Sequence, residues 1–204
     1  MDDDKLENVS EPEDLTLKNV ENTELKIYED ILKRASAINS CQVLPNADEK
    51  HAAIAFSILF NNTTTSVNMV VDCFSGEVSN NKKYLKALND CLDRNVMFKV
   101  LCLNPPNEHS LGYKALKSHK KEHPKNVTIS LANQEAKQVL ELSMNPKYNF
   151  GELHNFTLFD FKQYRLEFIP KKYMALISFN DPDFVTKQKV VFDRAFSLSP
   201  EIPN

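Results

Sequence analysis

The sequence predicts an α/β domain built on a mixed, mainly parallel sheet with helices on both faces, and three observations carry that expectation. Between Val67 and Ala132, short apolar runs rich in β-branched residues alternate with amphipathic stretches of helical period, in the order strand, helix, strand, helix, strand. Parallel neighbours require a crossover of about a dozen residues or more, and both amphipathic stretches are long enough to supply one. Further along, Asn180-Asp181-Pro182 combines capping residues with a proline placed where its missing N–H is harmless, which marks the start of a last helix.

Taken in order, residues 1–22 are acidic and poor in large apolar side chains, and are expected to form a flexible tail. From Glu24 the residues Ile27, Ile31 and Ala35, with Tyr28 and Leu32 beside them, recur at helical spacing. A second helix is expected from Asp48, an N-cap residue followed by Ala52, Ala53, Phe56, Leu59 and Phe60. "VNMVVDCF" (67–74) then reads as a buried strand, "NNKKYLKALNDCLDRN" as a helix ending at Asn95, and "VMFKVLCL" as a strand halted by "NPPN". "LGYKALKSHKKEH" gives another amphipathic helix closed by Pro124, "NVTISLA" a third strand, and 134–142 a further helix. The run from His154 to Phe168 reads as one extended strand and "MALIS" as the next. A hairpin through "PKK" joins them, with Tyr164, Leu166 and Phe168 alternating against Arg165 and Glu167. No repeat or linker divides the ordered part, so a single domain over 23–204 follows the tail.

Bulk properties narrow the function classes. With 204 residues, 42% hydrophobic and 26% charged, the chain has ordinary globular composition. The acidic N-terminus is unlike a signal peptide and no apolar run reaches membrane-span length, so a cytoplasmic location without membrane association is expected. Cys41, Cys73, Cys91 and Cys102 lack a CxxC pair and read as free thiols. Only three glycines occur, Gly76, Gly112 and Gly151, and their wide spacing excludes a Rossmann fingerprint and a P-loop. No cofactor is expected.

The net charge of −3 gives no general attraction to nucleic acid, so any phosphate contact must be local. Lys114, Lys117, Lys120, Lys121 and Lys125 form the most basic stretch and are candidate nucleic-acid contacts, although a solvated helix face explains them too. His119 and His123 are four apart on the same helix, but no third ligand accompanies them and no metal site is expected. His154 stands at the mouth of a strand, where a residue of near-neutral pKa could attack phosphorus or move protons. It could equally be a polar strand-end residue bonded to backbone.

Residues 49–199 resemble the phospholipase D-like fold, particularly its compact single-motif proteins and noncatalytic relatives. The family motif is H-x-K-x4-D, followed by a strand ending in G-S-x-N. "HNFTLFD" places His154 at the histidine, Phe156 where the lysine belongs, and Asp160 one residue short of the aspartate. "ISFN" offers Ser178 and Asn180, with Ile177 for the glycine. The resemblance implies a catalytic set of His154, Ser178, Asn180 and Asp160, in active or vestigial form, and a homodimer paired across the edge where the active sites meet. Phe156 puts an apolar ring where a cation would hold the phosphoryl oxygens, and loss of one such stabilising group costs about 2.7–4 kcal/mol of transition-state binding. The expectation is therefore a catalytically silent interaction or regulatory module that pairs with itself or with a protein partner. Two alternatives stand beside it. One is a dimeric phosphodiesterase or nuclease that recruits Lys162, Arg165, Lys171 or Lys172; the other is a noncatalytic nucleic-acid-binding protein.

Overall fold

The computed structural model describes residues 12–143, 153–169 and 172–203, with side chains from residue 19 onward. Its elements are α1 (Pro12–Ala37), β1 (Leu44–Asn46), α2 (Glu49–Asn62), β2 (Ser66–Val71), α3 (Lys82–Asp93), β3 (Met97–Cys102), α4 (Leu111–Glu122), β4 (Val127–Leu131), α5 (Gln134–Leu142), β5 (Phe156–Phe159), β6 (Gln163–Ile169), β7 (Met174–Ser178) and α6 (Pro182–Ser197).

Helix starts follow the capping chemistry expected of them. Asp48 accepts from the His51 amide, Asn81 from Lys83, Ser110 from Tyr113, Asn133 from Ala136 and Asp181 from Phe184. Of the two candidate caps before the last helix, Asp181 is therefore the one used. Helix α1 begins at Pro12, so 12–22 is helical where a tail was expected, while residues 1–11 lie outside the described residues. The face of α1 that packs inward is Leu25, Tyr28, Leu32 and Ala35; Ile27 and Ile31 are exposed instead.

The seven strands form one sheet in the order β1-β7-β6-β5-β2-β3-β4. Parallel ladders join β2 to β3 and β3 to β4, through crossovers that contain α3 and α4. The remaining four ladders, β1–β7, β7–β6, β6–β5 and β5–β2, are antiparallel. Strands β1, β2, β3, β4 and β6 thus share one direction, against β5 and β7. The sheet is mixed, with its parallel ladders confined to the β2-β3-β4 side.

Period-two alternation sends successive side chains to opposite faces. On one face Val67, Met69, Phe98 and Val100 pack beneath α1 to α4, around Leu32, Phe56, Phe60, Tyr84 and Leu88. On the other, Val70, Leu101, Phe156 and Leu158 meet α5 and α6 through Ala136, Leu140, Val185 and Phe192. Phe192 is fully buried, edge-on to Phe156 at 6.5 Å and stacked on Phe196 at 5.4 Å.

The run 154–168 is a hairpin rather than one strand. Asp160 turns the chain with a left-handed φ of +52°, and β6 returns antiparallel along β5. Such a φ is tolerated by Asp because its short polar side chain can bond locally. Here the carboxylate binds β2's entry: Oδ1 accepts from the amides of Thr65 (2.8 Å) and Ser66 (3.0 Å) and the Thr65 hydroxyl (2.7 Å). Oδ2 accepts from the amide (3.1 Å) and hydroxyl (3.2 Å) of Thr64.

Both sheet edges are occupied or short. Past β4, the segment 200–202 runs alongside the edge, with the Leu131 amide donating to Pro200 and the Ile202 amide to Ile129. The opposite edge is β1, three residues with a proline in the middle. No described helix is long and apolar enough to cross a membrane.

Candidate functional site

The carboxyl ends of the parallel strands β2 and β3 lie beside the start of the antiparallel β5, and the carboxyl ends of parallel strands are where open α/β sheets leave room for ligands. A cleft of about 590 Å³ opens there. Its floor comes from Asn155, Thr157, Arg165 and Glu167, its apolar wall from Phe56 and Tyr84, and its rim from Asp72, Cys73, Asn104 and Lys137.

Arg165 and Glu167, the polar side of the alternation read from the sequence, are 3% and 4% exposed. Being two apart on β6, they project to the same side, beneath α2. Arg165 Nη1 donates to Glu167 Oε2 at 2.9 Å, Nε to Asn46 Oδ1 at 3.2 Å and Nη2 to the Tyr173 carbonyl at 3.1 Å. The guanidinium also lies 5.0 Å from the centroid of the Phe56 ring. Asn46 completes the clamp by donating to the same Tyr173 carbonyl at 2.8 Å. Burial pushes the Glu167 carboxyl up, and Arg165 opposes that rise. The Asn155 side chain also lies close enough to lower the carboxyl's pKa, but no well-formed hydrogen bond from a described residue reaches Glu167 Oε1 or Asn155 Oδ1.

At the rim, Asn104 Nδ2 donates to Asp72 Oδ1 at 2.5 Å, and Cys73 Sγ lies 3.3 Å from Asp72 Oδ2 and 3.1 Å from Ser75 Oγ. All four cysteines are free; Cys91 and Cys102 are buried, and burial pushes each thiol up to about 12.

The residues expected to act together are split between the two ends of the sheet. His154, two residues before β5, lies at the cleft end, but the cleft is lined by its neighbours Leu153 and Asn155. By alternation His154 shares the side of Phe156 and Leu158, which face α5 and α6. Ladder registers pair Phe156 with Leu166 and Leu166 with Leu176, so His154 is level with the start of β7 whereas Ser178 ends it. Four residues along and two strands across put Ser178 roughly 16 Å from His154. Asn180 lies further on, where its amide donates to Ser178 Oγ at 3.3 Å, and Asp160 is at this same far edge. The strand that returns beside His154 is β6, and its sequence there is Glu167-Phe168-Ile169, not Ser-x-Asn.

Asp160 is a structural anchor at that edge. Burial alone would raise its pKa, but the Thr65 hydroxyl and the amides of Ser66, Thr65 and Thr64 outweigh it and hold the carboxyl below the usual range. Of the recruitable cations, Arg165 is locked as described and Lys162 donates to Asn39 at the far edge, 2.6 Å. Lys172 is exposed and Lys171 lies outside the described residues.

The basic helix loses two of its members to local pairing. Lys120 is 4% exposed, donating to the Ile202 carbonyl at 2.6 Å and pairing with Glu201 at 2.8 Å. Lys117 pairs with Glu108 at 3.0 Å, while Lys114 and Lys121 remain exposed. The His119 and His123 rings lie against each other, tilted by 34° with centroids 4.5 Å apart, and no cluster of metal-binding type occurs among the described residues.

The sequence matches no protein-family model and no curated protein. Solved structures do match the fold. Nuc from Salmonella typhimurium, a phospholipase D family member, is 12% identical with a TM-score of 0.54, over 80% of this chain and 97% of its own. NucT from Helicobacter pylori is 14% identical at 0.54, over 79% and 99%. TrmBL2, described as an archaeal chromatin protein with a novel mode of DNA binding, is 13% identical at 0.52, over 93% of this chain and 66% of its own. The chain has a phospholipase D-like fold.

Proposed function

We propose that this chain is a catalytically silent phospholipase D-like module that works by interaction or regulation and pairs as a homodimer. The separation of His154 from Ser178 and Asn180 across the sheet carries the first part of the reading. A histidine nucleophile needs partner groups that hold the phosphoryl oxygens within hydrogen-bond reach. The side chains expected to do so are at the other edge, Phe156 replaces the cation, and Arg165 is committed to Glu167, Asn46 and Tyr173.

Pairing is argued from surface rather than from the buried strand. All of β5 is covered within one chain, which leaves the turn after it, where Phe161 is 69% exposed beside Asp160. Light scattering at tens of micromolar should give twice the chain mass, and a monomer would remove the dimer from the proposal.

The activity test compares wild type with His154→Ala on bis-p-nitrophenyl phosphate, single-stranded DNA and RNA. The two proteins are expected to be indistinguishable from buffer. Hydrolysis by wild type that vanishes in His154→Ala would replace this reading with the dimeric nuclease. A DNA-binding role without catalysis rests on Lys114, Lys121 and Lys125 alone, and predicts salt-dependent retention that their joint replacement by alanine abolishes.

A further inference from the structure

Helix α1 carries two apolar faces, and the chain's own core uses one of them. Leu25, Tyr28, Leu32 and Ala35 pack inward. Val20, Ile27, Ile31 and Ile38 are 61%, 56%, 47% and 77% exposed, and are four of the ten large apolar side chains that the described residues leave to solvent. Their intervals of seven, four and seven residues span five turns at 3.6 residues each, so the four fall in one straight line about 27 Å long. Ile38 follows the helix, but its amide still donates to the Arg34 carbonyl at 3.2 Å and so continues the helical turn. A surface helix ordinarily shows one apolar stripe, toward its core, and a second continuous stripe marks a place where another surface packs.

The order of residues along the stripe says which surface. It is symmetric about Glu29: Ile27 and Ile31 stand two positions to either side, Glu24 and Arg34 five, Val20 and Ile38 nine. Glu24 and Arg34 are exposed and flank the line at about 40° to either side. The ion pairs of α1 use Glu21, Glu29 and Lys33, and neither Glu24 nor Arg34 has one among the described residues. Two copies set antiparallel about a two-fold axis at Glu29 bring Ile27 level with Ile31 of the other copy and Val20 level with Ile38. The same axis brings Glu24 level with Arg34 of the other copy, once in each half of the pair, as an isologous contact requires. A parallel pair would set each of these charges level with its own kind.

The part of α1 before Leu25 favours the same occupant. Residues 19–24 are all exposed, and helical turns without a packed face are marginal in water. In the antiparallel pair Val20 rests on Ile38 of the other copy. Ile38 adjoins the exposed Phe161 turn, because Lys162 donates to Asn39 at 2.6 Å.

We propose that α1 is the pairing surface of the homodimer: the stripe Val20, Ile27, Ile31 and Ile38 packs antiparallel on the same stripe of a second copy, with Glu24 of each chain level with Arg34 of the other. This rests on the homodimer reading and names its surface.

Sedimentation equilibrium of the full chain tests it, with circular dichroism to show that each variant folds. All the substituted positions are exposed, so folding is expected to survive. Wild type should be a dimer at tens of micromolar, and Ile27→Glu with Ile31→Glu should weaken pairing by at least about a hundredfold, to a monomer. Glu24→Arg alone and Arg34→Glu alone should each weaken it by about tenfold, since every substitution counts twice in a symmetric pair. The two together should restore it to within about threefold of wild type. A monomeric wild type overturns both the homodimer and this surface, and leaves the stripe to a different protein. A dimer that survives Ile27→Glu with Ile31→Glu keeps the homodimer and overturns this surface alone. Single reversals without effect, or a double reversal that fails to restore pairing, overturn the antiparallel arrangement.

Discussion

Replacing Asp160 by alanine should lower stability by about 2–4 kcal/mol, and the figure can be built from its contacts. A hydrogen bond to a charged group contributes about 1.5–3 kcal/mol when its donor cannot turn to water. Four of the five donors, the amides and hydroxyls of Thr64 and Thr65, are exposed and rehydrate when the carboxylate is removed. The Ser66 amide is part-buried and bears most of the loss. Alanine at a φ of +52° adds backbone strain of about 1 kcal/mol. Asp160→Gly relieves that strain while losing the same contacts, so it should be the milder variant by a similar amount. Urea unfolding followed by circular dichroism at neutral pH measures both.

The pH dependence supplies an independent sign. Because the folded-state carboxyl titrates below its ordinary value, its contribution is complete above the unfolded value of about 4 and is lost as pH falls through the lower folded value. The gap between wild type and Asp160→Asn should therefore close in acid. A loss under about 0.5 kcal/mol in Asp160→Ala, or a gap that does not change with pH, would refute the anchoring role.

The other predictions concern buried charge and close packing. Arg165→Ala leaves Glu167 uncompensated in the interior and should cost about 3–5 kcal/mol in urea unfolding, whereas Arg165→Met with Glu167→Leu should recover much of that loss. Lys120→Ala removes the hold on Ile202 and Glu201, and hydrogen exchange should speed at the Leu131 and Ile202 amides with little change in β2. In Gly76→Ala the new Cβ would press on Tyr173 Oη and hold an L side chain at a φ of +127°, so thermal melting should drop by several degrees.

How far the sequence could be read depended on whether a segment's period matched its surroundings. The β2-β3-β4 side was legible because its strands are continuous apolar runs and its helices carry strong caps, as at Asn81 and Ser110. The β5–β6 turn was hidden, since Asp160-Phe161-Lys162 has no glycine, proline or Asn-Gly signal and the apolar alternation runs through it unbroken. The family motif set Ser178 beside His154, whereas the ladders set Ser178 level with Tyr164 and Leu158, toward the other end of the strands. Arg165 and Glu167 misled for a related reason: alternation assigns polar residues outward, but here the face they occupy borders a cleft roofed by α2. Their opposite charges, two apart on one strand face, were the available hint. Asp72 and Cys73, directly after the apolar run of β2, were another, because side chains just beyond a parallel strand's carboxyl end border the ligand crevice.

The segment 200–202 beside β4 and the brief, proline-bearing β1 have a consequence for how copies of this chain can meet. An open sheet edge is a template on which a neighbour's strand can continue the ladder, the route to strand-swapped pairs and to fibrils. Here one side already carries its own chain as a lining, and the other offers three residues, one of which is Pro45 and has no N–H to give. Strand addition is therefore disfavoured at both flanks, because a newcomer would have to displace the segment 200–202 on one side or build on three residues that include a proline on the other.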